Sequence, residues 1–137
     1  MDGRRGVVVQ VHAAAHALAP SSSECYARFD VDLTKKKFGL MLSTAPGHPN
    51  LETAVALAEE ALRRGADLYL YLIDDAVRAL GDPRVRRLPA RGAKLFVCAY
   101  GCQRRGIALE ELDGVIYCGL VVLTDVVTGA DRFVALN

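Results

Sequence analysis

The feature that most constrains this chain is a series of short apolar runs spaced through its last hundred residues. They read FGLMLST at 38–44, LYLYLI at 68–73, KLFVC at 94–98, VIYC at 115–118 and RFVAL at 132–136. Each is too short for a core helix and shows no clean polar alternation. That is the pattern of strands buried on both faces, as a parallel sheet requires. Helical segments lie between the runs, so the chain is predicted to alternate β and α with helices over both sides of the sheet.

The connecting segments support this. Leu51, Ala54, Val55, Ala58, Ala61 and Leu62 share one helical face. Asn50 is the expected N-cap, Arg63 and Arg64 suit the negative end of that helix, and Gly65 suits its stop. Asp74 or Asp75 is expected to cap a short helix ending near Gly81. After Pro83 a helical turn is limited by Pro89, and a short helix through Gln103 to Arg105 should stop at Gly106. Residues 120–128, LVVLTDVVT, favour a strand by local propensity. They are bracketed by Gly119 and Gly129 and followed by another strand, so a helix is predicted there. The expected architecture is a three-layer α/β/α sandwich around a mostly parallel five-stranded sheet.

Residues 1–36 differ from the rest and are expected to form an N-terminal extension. GVVVQV at 6–11 is a possible strand. An Ala/His/Ser/Pro-rich stretch follows, and residues 25–33 alternate as a half-buried strand would. These pieces suit a hairpin with a long loop, or strands lent to a neighbour. Lys35, Lys36 and Lys37 mark the boundary, and 37–137 is the expected α/β domain.

A length of 137 residues favours one domain, and 52% hydrophobic residues support a well-buried core. The net charge of +1 gives no global electrostatic case for nucleic acid or membrane. A local basic run, RVRRLPAR at 84–91, is expected to be a solvated loop with one or two buried apolar residues. No apolar run reaches transmembrane length. The N-terminus imitates a signal peptide only weakly, because Gln10, His12 and His16 interrupt it. Four cysteines are too few for a disulfide scaffold. A reducing, cytoplasmic location is therefore expected.

In open parallel sheets, ligands bind beyond the carboxyl ends of the strands. That rule selects Ser43, Thr44 and His48 after the first run and Asp74 and Asp75 after the second. It selects Cys98, Tyr100 and Cys102 after the third, and Cys118 after the fourth. Asp75 is a cleft-lining candidate, while adjacent carboxylates rarely act as an acid/base pair. His48 is either a general acid/base or an ordinary loop histidine. The stretch KLFVCAYGCQRRGI at 94–107 admits three chemistries. Cys98 sits where a strand hands over to a helix, a setting that favours a reactive thiolate, with Arg104 and Arg105 near enough to add positive field. Cys102 is a possible second thiol for redox exchange, although the spacing is one longer than Cys-x-x-Cys. A zinc site lacks a second matched ligand pair, so no metal is expected. The plain alternative makes Cys98 a small buried hydrophobe at a strand end, and Cys118 a core residue. No phosphate loop and no Gly-x-Ser-x-Gly elbow is present.

Three segments carry a resemblance: VCAYGCQRRGI with its Cys, five residues, Arg-Arg-Gly element; YLYLIDDAV at 69–77; and GADRFVAL at 129–136. Together they resemble the DsrE/DsrF/DsrH-like sulfur-relay family, closest to its DsrE and TusD members, over about residues 37–136. The resemblance implies a flavodoxin-like fold and a homo-oligomer, trimeric or hexameric. It implies that Cys98 matches the family's sulfur-carrying cysteine, which holds sulfane sulfur as a persulfide without metal or organic cofactor. A TusA-like or rhodanese donor and a DsrC/TusE-like acceptor would be the partners, serving tRNA thiolation or sulfur oxidation, with no direct contact to nucleic acid or membrane. Cys102 departs from the family pattern as an extra thiol, and residues 1–34 have no counterpart in the family core. Two other functions stay open: a non-catalytic oligomeric scaffold of the same fold, and a Cys98/Cys102 thiol-disulfide redox protein.

Overall fold

The computed structural model describes residues 7–11 and 32–137. Among these, six strands form one sheet: β1 Val7–Val11, β2 Lys37–Leu42, β3 Asp67–Leu72, β4 Lys94–Cys98, β5 Val115–Cys118 and β6 Arg132–Leu136. The spatial order is β1-β6-β2-β3-β4-β5, and every neighbouring pair is parallel. The helices are α1 Asn50–Arg63, α2 Pro83–Arg87, α3 Ala99–Arg104 and α4 Leu120–Gly129. Single 3-10 segments occupy Asp74–Gly81 and Pro89–Arg91.

The strand count is six rather than five, because Val7–Val11 pairs in register with β6 and extends the chain's own sheet. The alternating segment expected at 25–33 falls mostly outside the described residues.

The order of strands decides which face each helix covers. From β2 to β5 the chain moves steadily one way across the sheet, and right-handed crossovers keep α1, α2 and α3 on one side. The step from β5 back to β6 runs the other way, so α4 crosses the opposite face. Parallel strands need such a crossover of about a dozen residues. This requirement overrides the strand propensity of the Val- and Thr-rich 120–128 segment. Thr124 and Thr128 further satisfy their hydroxyls by donating to the Leu120 and Thr124 carbonyls one turn back.

The two faces are unequally filled. On the α1 side, Leu40 and Leu42 of β2, Leu68, Leu70 and Leu72 of β3, and Leu95 and Val97 of β4 interlock with Leu51, Ala54, Val55, Ala58 and Ala61. The α4 side buries a smaller set, Val126 and Ala130 against Phe133 and Ala135, with Met41, Tyr69 and Phe96 partly covered. Tyr69, Tyr71, Lys94, Phe96, Cys98, Ile116 and Cys118 all project toward this second face, by the two-residue period and the strand register.

Several local expectations need correction. Asn50 is the first residue of α1 and not its cap. It is 4% exposed, its backbone N–H donates to His48 Nδ1 at 3.1 Å, and its side-chain amide reaches the Asn137 carbonyl at 3.5 Å. Neither Asp74 nor Asp75 caps the segment after β3, which is a 3-10 helix without a side-chain cap. The side-chain cap nearby belongs to Asp82, which accepts the Arg84 N–H at 2.8 Å at the start of α2. Arg84 also forks onto Glu52 of α1, so the basic run at 84–91 is partly tied down rather than wholly solvated. Gly65 and Gly106 close their helices with φ of 77° and 65°, as expected.

Gly39 marks the closest approach of α4 to the sheet. A Cβ there would sit 2.6 Å from the Phe133 ring, 3.2 Å from Val126 and 3.3 Å from Ala130. Gly39→Val is therefore expected to destabilise the fold by about 2 kcal/mol through overpacking. Gly81→Ala, with open space at its Cβ, serves as the comparison. Denaturant unfolding checks this, and equal midpoints for the two variants would show that α4 is not seated on Gly39.

Candidate functional site

β4 runs from an exposed Lys94 into the buried Leu95, Val97 and Cys98, and at Cys98 the chain must turn into α3. Cys98 makes that turn. Its backbone is still extended, and its sulfur accepts the Gly101 N–H at 3.4 Å, so the side chain caps the helix it precedes. Gly101 permits the close seating, because a Cβ there would press against Val77 at 3.1 Å. Cys98 is 4% exposed and is reached through a cavity of about 490 Å³. Ile73 and Asp74 wall that cavity from the end of β3, Tyr100, Arg104 and Arg105 from α3, and Gly119 and Leu120 from the start of α4.

The cavity therefore lies over the carboxyl ends of β3, β4 and β5. Asp74 enters it with φ of 52°, a left-handed conformation uncommon outside glycine and concentrated at functional strand ends. Asp74, rather than the predicted Asp75, lines the wall. Asp75 points to Arg105, whose Nε donates to its Oδ1 at 2.8 Å while the same guanidinium donates to the Gly101 carbonyl at 3.2 Å. The Arg105 charge is thus balanced by Asp75 instead of being aimed at Cys98. Arg104 is exposed on the rim, beside Tyr100 and Leu120, whose exposures of 66% and 60% leave an apolar lip.

Cys102 and Cys118 separate here. Cys102 is fully buried in the large core cluster, which also takes in Cys98. Burial, and then the neighbouring Cys98, push its thiol pKa up, with Arg105 partly opposing. Cys118 ends β5 directly opposite Cys98 in the strand register and is half-buried. Burial raises its pKa, the Tyr71 hydroxyl opposes that, and Cys98 adds to it. Tyr71 escaped the sequence reading. It is fully buried, donates to the Gly119 carbonyl at 3.0 Å, and feels the Cys118 and Cys98 thiols electrostatically. Desolvation and those two sulfurs raise its pKa above the usual phenol range. Only the period-two pattern of LYLYLI, which sends Tyr71 to the same face as Cys98, could have signalled it.

Ser43, Thr44 and His48 lie at the end of β2, away from the cavity lining. Ser43 donates to the Leu136 carbonyl at 3.4 Å, the Thr44 hydroxyl is buried without a partner, and His48 accepts the Asn50 N–H in the lead-in to α1. A second, smaller cavity of about 170 Å³ opens beneath α4. Tyr69, Phe96 and Val126 line it, with Lys37 and Asp125 at its mouth, and it holds no cysteine. Among the described residues, no group of three or more His, Cys, Asp or Glu side chains gathers as a metal-binding set. None of the described helices is long and apolar enough to cross a membrane.

Residues 36–136 match the DsrE/DsrF-like family. The chain belongs to that family. The crystal structure of the ychN protein from E. coli shares its fold, with a TM-score of 0.65 and 24% identity over 73% of this chain and 98% of that one. Among curated proteins, no sequence matches the chain. The family match begins one residue before β2, so β1 and the segment after it stand outside the matched region.

Within this family member, accessibility should rank the thiols. Brief alkylation of the native protein with iodoacetamide is expected to label Cys98 through its cavity. Cys102, which needs local opening, should react roughly tenfold or more slowly. Peptide mapping reads the two rates, and equal labelling would contradict the burial of Cys102.

Proposed function

We propose that this protein carries sulfane sulfur as a persulfide on Cys98. The observation that carries the reading is the Cys98 sulfur, set at the end of β4 in an open cavity with the Gly101 N–H directed at it. Membership of a family associated with sulfur relay supports it. In the first step the Cys98 thiolate attacks the outer sulfur of a donor persulfide. A new S–S bond forms, the donor's S–S bond breaks, and the donor leaves as a thiolate. In the second step an acceptor thiolate attacks the outer sulfur of the Cys98 persulfide and regenerates the Cys98 thiolate. The chemistry is redox-neutral and needs no metal or organic cofactor. The Gly101 N–H offers a charge-assisted hydrogen bond to a sulfur anion formed at this position.

The cavity rim bears on the partners. Tyr100 and Leu120 present an apolar lip and Arg104 a cation, a combination suited to a protein that inserts a thiol-bearing segment. The family resemblance implies a TusA-like or rhodanese donor and a DsrC/TusE-like acceptor, in the reducing, cytoplasmic compartment expected from the cysteine content. The complete burial of Cys102 weighs against a Cys98/Cys102 redox pair.

The thinly covered α4 face supports self-association. Val121 is 76% exposed and Ile116 on the outer strand β5 is 47% exposed, apolar side chains that further copies in a trimer or hexamer would cover. Val121→Lys is expected to shift the protein to a smaller species in size-exclusion chromatography without loss of folding. An unchanged elution volume would remove α4 from the interface.

Intact-mass analysis after incubation with a small-molecule persulfide donor tests the carrier. A gain of about 32 Da, one sulfur atom, is expected in the native protein and in Cys102→Ser, and should vanish in Cys98→Ser. The absence of any adduct in a folded protein would sink the carrier reading in favour of a non-catalytic scaffold.

A further inference from the structure

We propose that Cys118 is the resolving thiol of Cys98, and that oxidation joins the two in a disulfide bridging β4 and β5. This rests on the reactivity of Cys98 that the carrier reading requires, but not on persulfide formation.

Three observations converge. Cys98 and Cys118 are the last register pair of adjacent parallel strands, so their side chains leave the same face of the sheet. Neighbouring strands lie about 4.8 Å apart, within the Cα separation of about 4.4–6.8 Å that disulfides span. The Tyr71 hydroxyl feels both thiols electrostatically, which places them in its neighbourhood. Finally, the residual approach falls on the more yielding strand. β5 has only four residues, forms the edge of the sheet, has no fully buried side chain, and is followed by Gly119 and an exposed first turn of α4. Cys102 has none of these properties. It is fully buried on α3, four residues past Cys98, and has no place in the pairing of β4 with β5.

The step balances with a peroxide as oxidant. The Cys98 thiolate attacks one peroxide oxygen and the O–O bond breaks. Cys98 becomes a sulfenic acid, having lost two electrons, and hydroxide leaves and is protonated to water. The Cys118 thiolate then attacks the Cys98 sulfur, the S–S bond forms, and the hydroxyl departs with the Cys118 proton as a second water. The bridge consumes the sulfur on which a persulfide would form, so oxidation would switch sulfur carriage off until a thiol reductant reopens the pair. The raised pKa of Cys118 slows its attack at neutral pH, while the Tyr71 hydroxyl works the other way.

The full-length protein, reduced and then treated with hydrogen peroxide, is alkylated and digested without reductant. A mass loss of about 2 Da and a peptide cross-link joining Cys98 to Cys118 are expected. The cross-link should persist in Cys102→Ser. In Cys118→Ser the 2 Da loss should disappear, with Cys98 advancing to sulfinic acid. A cross-link from Cys98 to Cys102 or Cys25 overturns the inference. So does a Cys98 that is trapped as sulfenic acid, or left unoxidised, in a protein with Cys118 intact. The persulfide assay on Cys118→Ser keeps the two ideas apart. An adduct on Cys98 without any disulfide in the native protein sinks only the resolving role. A Cys98–Cys118 disulfide without any adduct sinks only sulfur carriage.

Discussion

The Gly101 N–H donating to the Cys98 sulfur at 3.4 Å is the contact on which the site depends. A parallel strand has to give way to its crossover, and the first N–H groups of the next helix then lack partners. Cys98 meets that need with a sulfur instead of the usual hydroxyl or carboxylate. The side chain that ends the strand is therefore the one that faces the cavity. Gly101 allows the turn to seat against Val77, and Arg105 anchors it by donating to the Gly101 carbonyl and pairing with Asp75. Structure and reactivity share the same few atoms.

The unequal coverage of the two sheet faces follows from strand order. Three successive crossovers on one side build a leucine-rich core, whereas, among the described residues, the single return from β5 to β6 puts only α4 on the other. On that thinner face the polar and reactive groups of the strands find room. Tyr69 stacks with Phe96 under Lys94, and further along the strands Tyr71 bonds to Gly119 on the face that Cys98 and Cys118 share.

Much of the fold was legible in the sequence because burial on both faces writes itself as continuous apolar runs. β4, β5 and β6 occupy the predicted runs, and the bracketing glycines marked α4 despite its strand-like composition. Cys98 was found for the same reason, as the residue that closes an apolar run. The errors were local hydrogen bonds. Asn50 stands inside its helix and not at its cap, since His48 receives its N–H, and the segment after Leu72 winds as a 3-10 helix that neither Asp74 nor Asp75 caps. Arg105 was given to Cys98 on proximity in sequence, but it spends its charge on Asp75, thirty residues earlier.

The sequence by itself determined the alternation of strands and helices, the apolar core and the thiol at the end of the third interior run. These depend on periodicity and on the chemistry of single residues, which act over a few positions. Tertiary structure alone decided which thiol stands beside Cys98. Cys102 is four residues away on α3 and takes no part in the strand pairing, while Cys118 is twenty residues away and lies directly across the register. The parallel pairing of β4 with β5 brings that distant residue to the same face, and Tyr71 arrives there through the pairing of β3 with β4. Proximity of this kind depends on long-range backbone hydrogen bonding, which leaves no local trace in the order of residues.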